Sequence, residues 1–513
     1  MEREDKILIL LICLSLVIRI YLFLDLGSIL GADVGRMAII SHTWFLKGKI
    51  TPDLRPYDMA NGFFYFPGVF LLPLAFEYLG IDPITTITFF SFLLSFLGVV
   101  VFYKIARIFL DKRQSIGATF FYSFAFDIVL IFNLFGVFPY GFASFFFLLT
   151  VWVISKYYFS TLTKKDYFLL FLGLFGMFSF HWYLFIPLAL FFLSCFMYDF
   201  IELNRLRASL KLIGLTSILL ILVTLIYYPY LKIFWKYRGI ASKPQNISDL
   251  LTFQIGRMKF DFYDKFSTVF FMSYIGSMYS SVLLVSFIFS LIFMREFWKD
   301  RKRVWVFFMV LVGIHAFTVF YELNLLRITS FIWLAYSLFL GYKINKPWML
   351  LLLLPILFFV QSPSILYLIN ALHYHQDIFV PFVDFHKFNK AMDFIRREVP
   401  ENATFLIDGG GAGCTGASAS YGERIFPLTS RRIFYFTNYC WANYNRTEFK
   451  KRVDLYRRVS INASCCINEL KSYNVTHVFI GEKWVGFDPK YFLNNSNYRL
   501  IYDEDGYKIF EIV

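Results

Sequence analysis

Residues 31–68 read GADVGRMAIISHTWFLKGKITPDLRPYDMANGFFYFPG. The run follows a strongly apolar segment, 7–26, and sets Asp33, Arg36, His42, Asp53, Arg55 and Asp58 close together before it closes on the turn Tyr65-Phe66-Pro67-Gly68. Charges at this density do not lie in hydrocarbon, so the run is predicted to be a loop, 27–63, at a membrane surface. Within it, Val34 to Leu46 carries apolar residues at helical spacing and is predicted to lie along the interface as a helix.

The rest of the chain fixes the solvent. Of its 513 residues, 58% are hydrophobic and 22% aromatic, 68 of them Phe, a composition that cannot coat a soluble surface. The first segment begins MEREDK and has no small-residue cleavage site, which predicts an anchor. Beyond 64–80, hydrophobic segments are predicted at 84–103, 115–131, 138–158, 166–180, 183–199, 208–231, 270–293, 304–321, 328–342 and 347–369. The net charge of +14 is concentrated in short connections such as 104–114 and 294–303. Basic loops mark the cytoplasmic side, and this partner is the bilayer rather than nucleic acid. Lys343 and Lys346 put the last turn inside, which sends the chain after 370 outside. One segment therefore does not cross. The choice falls on 64–80, which is short, holds Pro67 and Pro73, and carries Glu77.

The expected architecture is a polytopic α-helical membrane protein of about 11 transmembrane helices over 1–369, with an outer loop at 232–269. A soluble extracytoplasmic α/β domain follows over 370–513. In that tail AMDFIRREVPEN reads as a helix, and ATFLID, THVFIG and YKIFEI read as strands. Sequons at Asn246, Asn402, Asn445, Asn462, Asn474 and Asn494 all fall in segments placed outside. An exported tail allows one or two disulfides among Cys414, Cys440, Cys465 and Cys466. Arg19, inside the first span, is expected to snorkel or to pair with Glu77 or Asp127. His315, inside a later span, is expected to hydrogen-bond a neighbouring helix.

The loop GADVGRMAIISHTWFLKG with its YFPG turn, and KIARIFLDKRQSIGATFFYSF followed by NLFGVFPYG, resemble the GT-C glycosyltransferases. The tail segment FIRREVPENATFLID…YGERIFPLTSRR is similar to the tails of archaeal members. The resemblance implies a glycosyltransferase that takes a sugar from a polyprenyl-phosphate donor to a glycan, lipid or protein acceptor at the outer face. It also implies a multi-pass cell-membrane protein of the envelope, itself a glycoprotein if its sequons are used. Three departures stand out. Val34 occupies the place of a second acid, the 131–141 loop offers Asn133 and no Asp, and the tail lacks the WWD signature of oligosaccharyltransferases. No cofactor and no metal ligands are expected, with at most weak divalent-metal assistance.

Such a reaction needs a carboxylate to take the acceptor's proton and cations to meet the departing phosphate. Asp33 is assigned the first role; its bland reading is the N-cap of the helix that follows. Arg327, in the outer turn YELNLLR, is assigned the lipid phosphate, against an ordinary interfacial anchor. Arg36, Arg55, Asp58, Tyr65 and His181, the last in SFHWYLF, are expected to line the substrate site. In the tail, Gly411 to Gly416 matches G-x-G-x-x-G, but no helix or later acid supports a dinucleotide there. Two other classes stay open: a transporter or flippase for a lipid-linked glycan, and a non-catalytic assembly protein of the same fold.

Overall fold

A computed structural model describes residues 2–26, 32–51, 54, 67–124, 138–160, 162–181, 184–201, 206–241, 302–318, 334–344, 385–408, 422–434, 446–481 and 487–513. The expected segments 270–293 and 347–369 and the loop 232–269, apart from its first residues, lie outside them.

The membrane-type part is helical: α1 (Arg3–Leu26), α2 (Ala32–Lys47), α3 (Pro67–Glu77), α4 (Pro83–Phe109), α5 (Lys112–Ser123), α6 (Phe138–Phe159), α7 (Lys164–Phe180), α8 (Phe185–Ile201), α9 (Leu206–Ala241) and α10 (Arg303–Thr318). Three helices among the described residues are long and apolar enough to cross a membrane: Pro83–Phe109, Pro139–Phe159 and Leu210–Lys232. Helix α3 is 11 residues with Pro73 inside, about 16 Å of rise, roughly half a hydrocarbon core.

Polar residues in the bundle are mostly neutralised by their own helix. Thr43, Thr88, Ser91, Thr119, Ser123, Ser144 and Thr150 each donate to the carbonyl four residues earlier, at 2.7–2.9 Å. Helix starts follow from their caps. Asp82 accepts from Thr85 N at 2.9 Å ahead of Pro83, and Asp111 with Gln114 forms a capping box.

Basic groups gather at one end of this bundle. Lys112 Nζ is 2.8 Å from Asp5 Oδ1, tying the N-terminus to the 104–114 connection. Gln114 Nε2 donates to Tyr342 O at 3.3 Å, and the Lys302 ammonium stands 4.3 Å over the Tyr342 ring. Lys104 sits 4.6 Å over Trp152, one turn before Lys156. Lys112, Lys104, Lys156 and Lys302 thus share an end among the described residues.

The tail is a three-layer α/β unit. Its five-stranded sheet runs β2-β1-β3-β5-β4, built from β1 (Thr404–Ile407), β2 (Arg432–Ile433), β3 (His477–Ile480), β4 (Tyr498–Glu504) and β5 (Tyr507–Ile512). Strands β2, β1 and β3 are parallel; β5 is antiparallel to β3 and to β4. Side chains alternate between faces, as the period of two requires. Phe405, Ile407, Phe479 and Ile509 face α11 (Phe385–Glu398) and α12 (Gly422–Thr429). Leu406, Val478, Ile480 and Phe510 face α13 (Arg446–Ile461), α14 (Ile467–Ser472) and α15 (Pro489–Leu493). The three strands and the helix expected from sequence are present, and β2 and β4 are additional. Cys465 and Cys466, adjacent in the chain, are disulfide-bonded; Cys414 and Cys440 lie outside the described residues.

The tail meets the bundle at the end opposite the basic groups. Ile39 of α2 belongs to the same buried cluster as Ile425 and Phe426 of α12. Every described residue from Val34 to Trp44 is buried, so α2 is enclosed between α3, α4 and the tail and does not lie exposed along an interface. Its apolar side chains Val34, Met37, Ala38, Ile39, Ile40 and Trp44 surround the helix axis rather than forming one stripe, which is the signature of a helix buried all round.

Candidate active site

The loop predicted to carry the chemistry is held at both ends. Its first helix, α2, begins at Ala32, so Asp33 lies in the first turn and not at an N-cap. An acid there still meets the favourable end of the helix dipole. Arg36 follows three residues on, on the same helical side. Trp44 Nε1 donates to Thr51 O at 2.9 Å, and the Trp44 ring meets Phe70 of α3 edge-on at 5.3 Å. The residues that follow α2, up to Thr51, are thereby folded back against it.

Gly68 of the YFPG turn packs against the last turn of α7. A Cβ there would stand 2.7 Å from Ser179 Cβ and 2.8 Å from its carbonyl oxygen, so only glycine fits. This contact sets the first turn of α3 beside Ser179, two residues before His181, which caps α7, is buried, and meets the Tyr140 ring edge-on at 5.6 Å. Ser179 Oγ lies 2.5 Å from Tyr227 Oη, which closes the cluster with α9. His181 therefore lies near the start of α3. Arg55, Asp58, Tyr65 and Arg327 lie outside the described residues, as do the side chains of Asp33, Arg36 and His315. Among the described residues no three His, Cys, Asp or Glu side chains come together as metal ligands.

A second polar cluster was not anticipated. His42 Nδ1 is hydrogen-bonded to Glu77 Oε1, and His42 Nε2 lies 3.0 Å from Ser430 Oγ. His42 is 5% exposed and Glu77 8%, and the Phe426 ring edge covers the imidazole at 5.0 Å. An ionised carboxylate only accepts, so Nδ1 is the donor toward Glu77, while Nε2 and the Ser430 hydroxyl form a hydrogen bond in which either can donate. Ser430 ends α12 with φ 60, a left-handed conformation that costs a side-chain-bearing residue about 1–2 kcal/mol. Glu77, one of the two acids considered as a partner for Arg19, is thus engaged elsewhere, because it ends α3 beside α2.

Carboxylate, imidazole and hydroxyl stand here in the order of an acyl-transfer triad. The amide of Ser430 donates to Phe426 O at 2.8 Å and that of Arg431 to Thr429 Oγ1 at 3.3 Å. Both are thereby removed as oxyanion donors, and the cluster reads as a joint rather than a nucleophile site. The forewarning in the sequence was His42 and Glu77, titratable residues each inside an apolar segment.

No family model and no curated protein matches the chain in sequence. Among solved structures it is similar to the mycobacterial arabinofuranosyltransferase AftD, with TM-score 0.51 and 10% identity, over 98% of this chain and 40% of that one. Lower-scoring likenesses are the oligosaccharyltransferase AglB of Archaeoglobus fulgidus, at TM-score 0.48 and 12% identity over 97% and 73% of the two chains, and ArnT of Cupriavidus metallidurans, at 0.44 and 12% over 100% and 99%. The likeness to AftD shows the fold, which is of the GT-C type that the sequence resembles.

Proposed function

From a fold shared with GT-C glycosyltransferases, we propose that the chain transfers a sugar from a polyprenyl-phosphate donor to a hydroxyl of a glycan, lipid or protein acceptor at the extracytoplasmic face. Asp33 takes the acceptor's proton, the acceptor atom forms its bond to the anomeric carbon with inversion, and the polyprenyl phosphate leaves on Arg327. Arg36, Arg55, Asp58, Tyr65 and His181 bind the two substrates, with metal assistance weak or absent. The observation that carries the reading is the likeness to an arabinofuranosyltransferase across nearly the whole chain, together with a loop anchored at both ends next to Asp33.

The gathering of basic connections at one end and the tail at the other supports a cytoplasmic and an extracytoplasmic side, and about eleven crossings between them. The sequon residues Asn402, Asn462, Asn474 and Asn494 are exposed at the end of the sheet where β1, β3 and β4 begin, which suits a glycosylated envelope protein. Of the charges that a transport reading would use, Glu77 belongs to the tail joint and Arg19 is hydrogen-bonded to Ser15, Ser95 and Ser123, while Asp127 lies outside the described residues.

Asp33→Asn tests the assignment. A positioned base contributes typically ~10²–10⁴-fold, so turnover with a lipid-linked donor should fall by that factor. Loss of one charge from a first helical turn costs only about 0.5 kcal/mol, so the protein should fold. A normal transfer rate in Asp33→Asn would remove Asp33 from catalysis.

A further inference from the structure

We propose that His42 is the positioning residue through which the tail domain sets the helix that carries Asp33. Three segments far apart in the chain converge on this one imidazole: α2 supplies it, Glu77 at the end of α3 fixes its orientation, and Ser430 of the tail meets its other nitrogen. Helices α2 and α3 are the two ends of the loop that holds Arg55, Asp58 and Tyr65. The joint therefore ties those two helices to each other and to the tail in a single buried place.

The lever is short and stiff. Asp33 lies nine residues before His42 on a continuous helix, about 13 Å away at 1.5 Å per residue. A tilt of about 10° at His42 would move the Asp33 backbone by roughly 2 Å. Misplacing a reacting group by about 1 Å costs on the order of a hundredfold in rate. Ser430 reaches the imidazole from a left-handed backbone, a conformation that glycine or asparagine adopts more readily than serine. Stability alone favours glycine at 430, and the hydroxyl is what serine adds.

That contrast supplies the test, made on the full chain in lipid nanodiscs. Ser430→Gly removes the hydroxyl and relieves the backbone, so its thermal midpoint should equal or exceed that of the parent protein. Hydrogen exchange of the 34–44 amides should nevertheless quicken about fivefold, the factor of one hydrogen bond. In turnover, an arm that rests on the transferase reading, kcat should fall about tenfold or more with the KM for lipid donor unchanged. Ser430→Asn, which tolerates the left-handed backbone and brings an amide donor, should restore both quantities in part. Unchanged exchange in 34–44 for Ser430→Gly would overturn the proposal, as would faster exchange with an undiminished kcat. If the parent protein transfers no sugar, the transferase reading fails by itself, and the exchange comparison decides whether the tail positions the loop helix.

Discussion

Two buried polar clusters, one inside the bundle and one where the bundle meets the tail, satisfy their charges by different means. Arg19 of α1 is 1% exposed. Its Nε donates to Ser95 Oγ at 2.9 Å, Nη1 to Ser15 Oγ at 2.6 Å and Ser15 O at 3.1 Å, and Nη2 to Ser123 O at 3.4 Å. Each of these partners is neutral. Ser123 ends α5, so its carbonyl has no helical donor and stands at the negative end of the helix dipole. At His42 the imidazole instead faces a carboxylate, and Glu77 Oε2 has no hydrogen bond among the described residues. A cation among dipoles can be deleted without stranding an opposite charge. A histidine against a buried carboxylate cannot.

The largest effect is therefore expected at His42. His42→Ala leaves the Glu77 carboxylate buried with neither oxygen engaged, a loss typically of 3–5 kcal/mol. The denaturation midpoint of the full chain in mild detergent should drop sharply. Adding Glu77→Leu should recover about half of the loss, because a well-packed apolar pair replaces a stranded charge. Additive single and double effects would mean that the pair is not coupled.

Arg19→Met comes next. It removes a desolvated guanidinium whose partners are all neutral and fills the space with a flexible apolar chain. Ser15 and Ser95 can turn back to their own helix carbonyls, as Thr88, Ser91, Thr119 and other hydroxyls of the bundle already do. The midpoint should move by about 1 kcal/mol or less in either direction. A loss as large as that of His42→Ala would show that a carboxylate shares the site.

What could be read beforehand follows the range of the interactions. YKIFEI, apolar at Tyr507, Ile509, Phe510 and Ile512, is β5, Tyr507–Ile512, residue for residue. ATFLID and THVFIG likewise contain the parallel strands β1 and β3. YRLIYDE escaped because β4 is an edge strand with Arg499, Asp503 and Glu504 outward, which blurs its period. Helix α2 was legible as a helix and misread in its surroundings. Ser41, His42 and Thr43 look like a wetted face, yet Thr43 donates to Ile39 O at 2.8 Å and His42 finds partners 35 and 388 residues away. Pairings at those separations leave no local pattern. Asp33 was legible as an acid at a loop's start, while its place inside the first turn depended on where the helix begins.

The smallest effect sharpens the comparison from a third position, a buried histidine with no carboxylate bonded to its ring. His477 of β3 has its Nδ1 2.8 Å from Thr476 Oγ1 and its ring 5.3 Å from that of Phe405. Burial pushes its pKa below the ordinary histidine value of 6.5, with the charge of Glu511 pulling only partly the other way. The unfolded tail therefore binds a proton more readily than the folded one, so folding stability rises with pH through this window. The contribution of neutral His477 is complete above about 6.5 and is lost as pH falls from there through the depressed folded value. The urea midpoint of the tail in the full chain, read by pulsed proteolysis, should be lower at pH 5.5 than at pH 7.5. His477→Phe keeps a ring against Phe405 and removes the titrating nitrogen, so it should flatten that difference. A tail that becomes more stable as the pH falls would mean that Glu511 outweighs burial, and His477 would then resemble His42 rather than contrast with it.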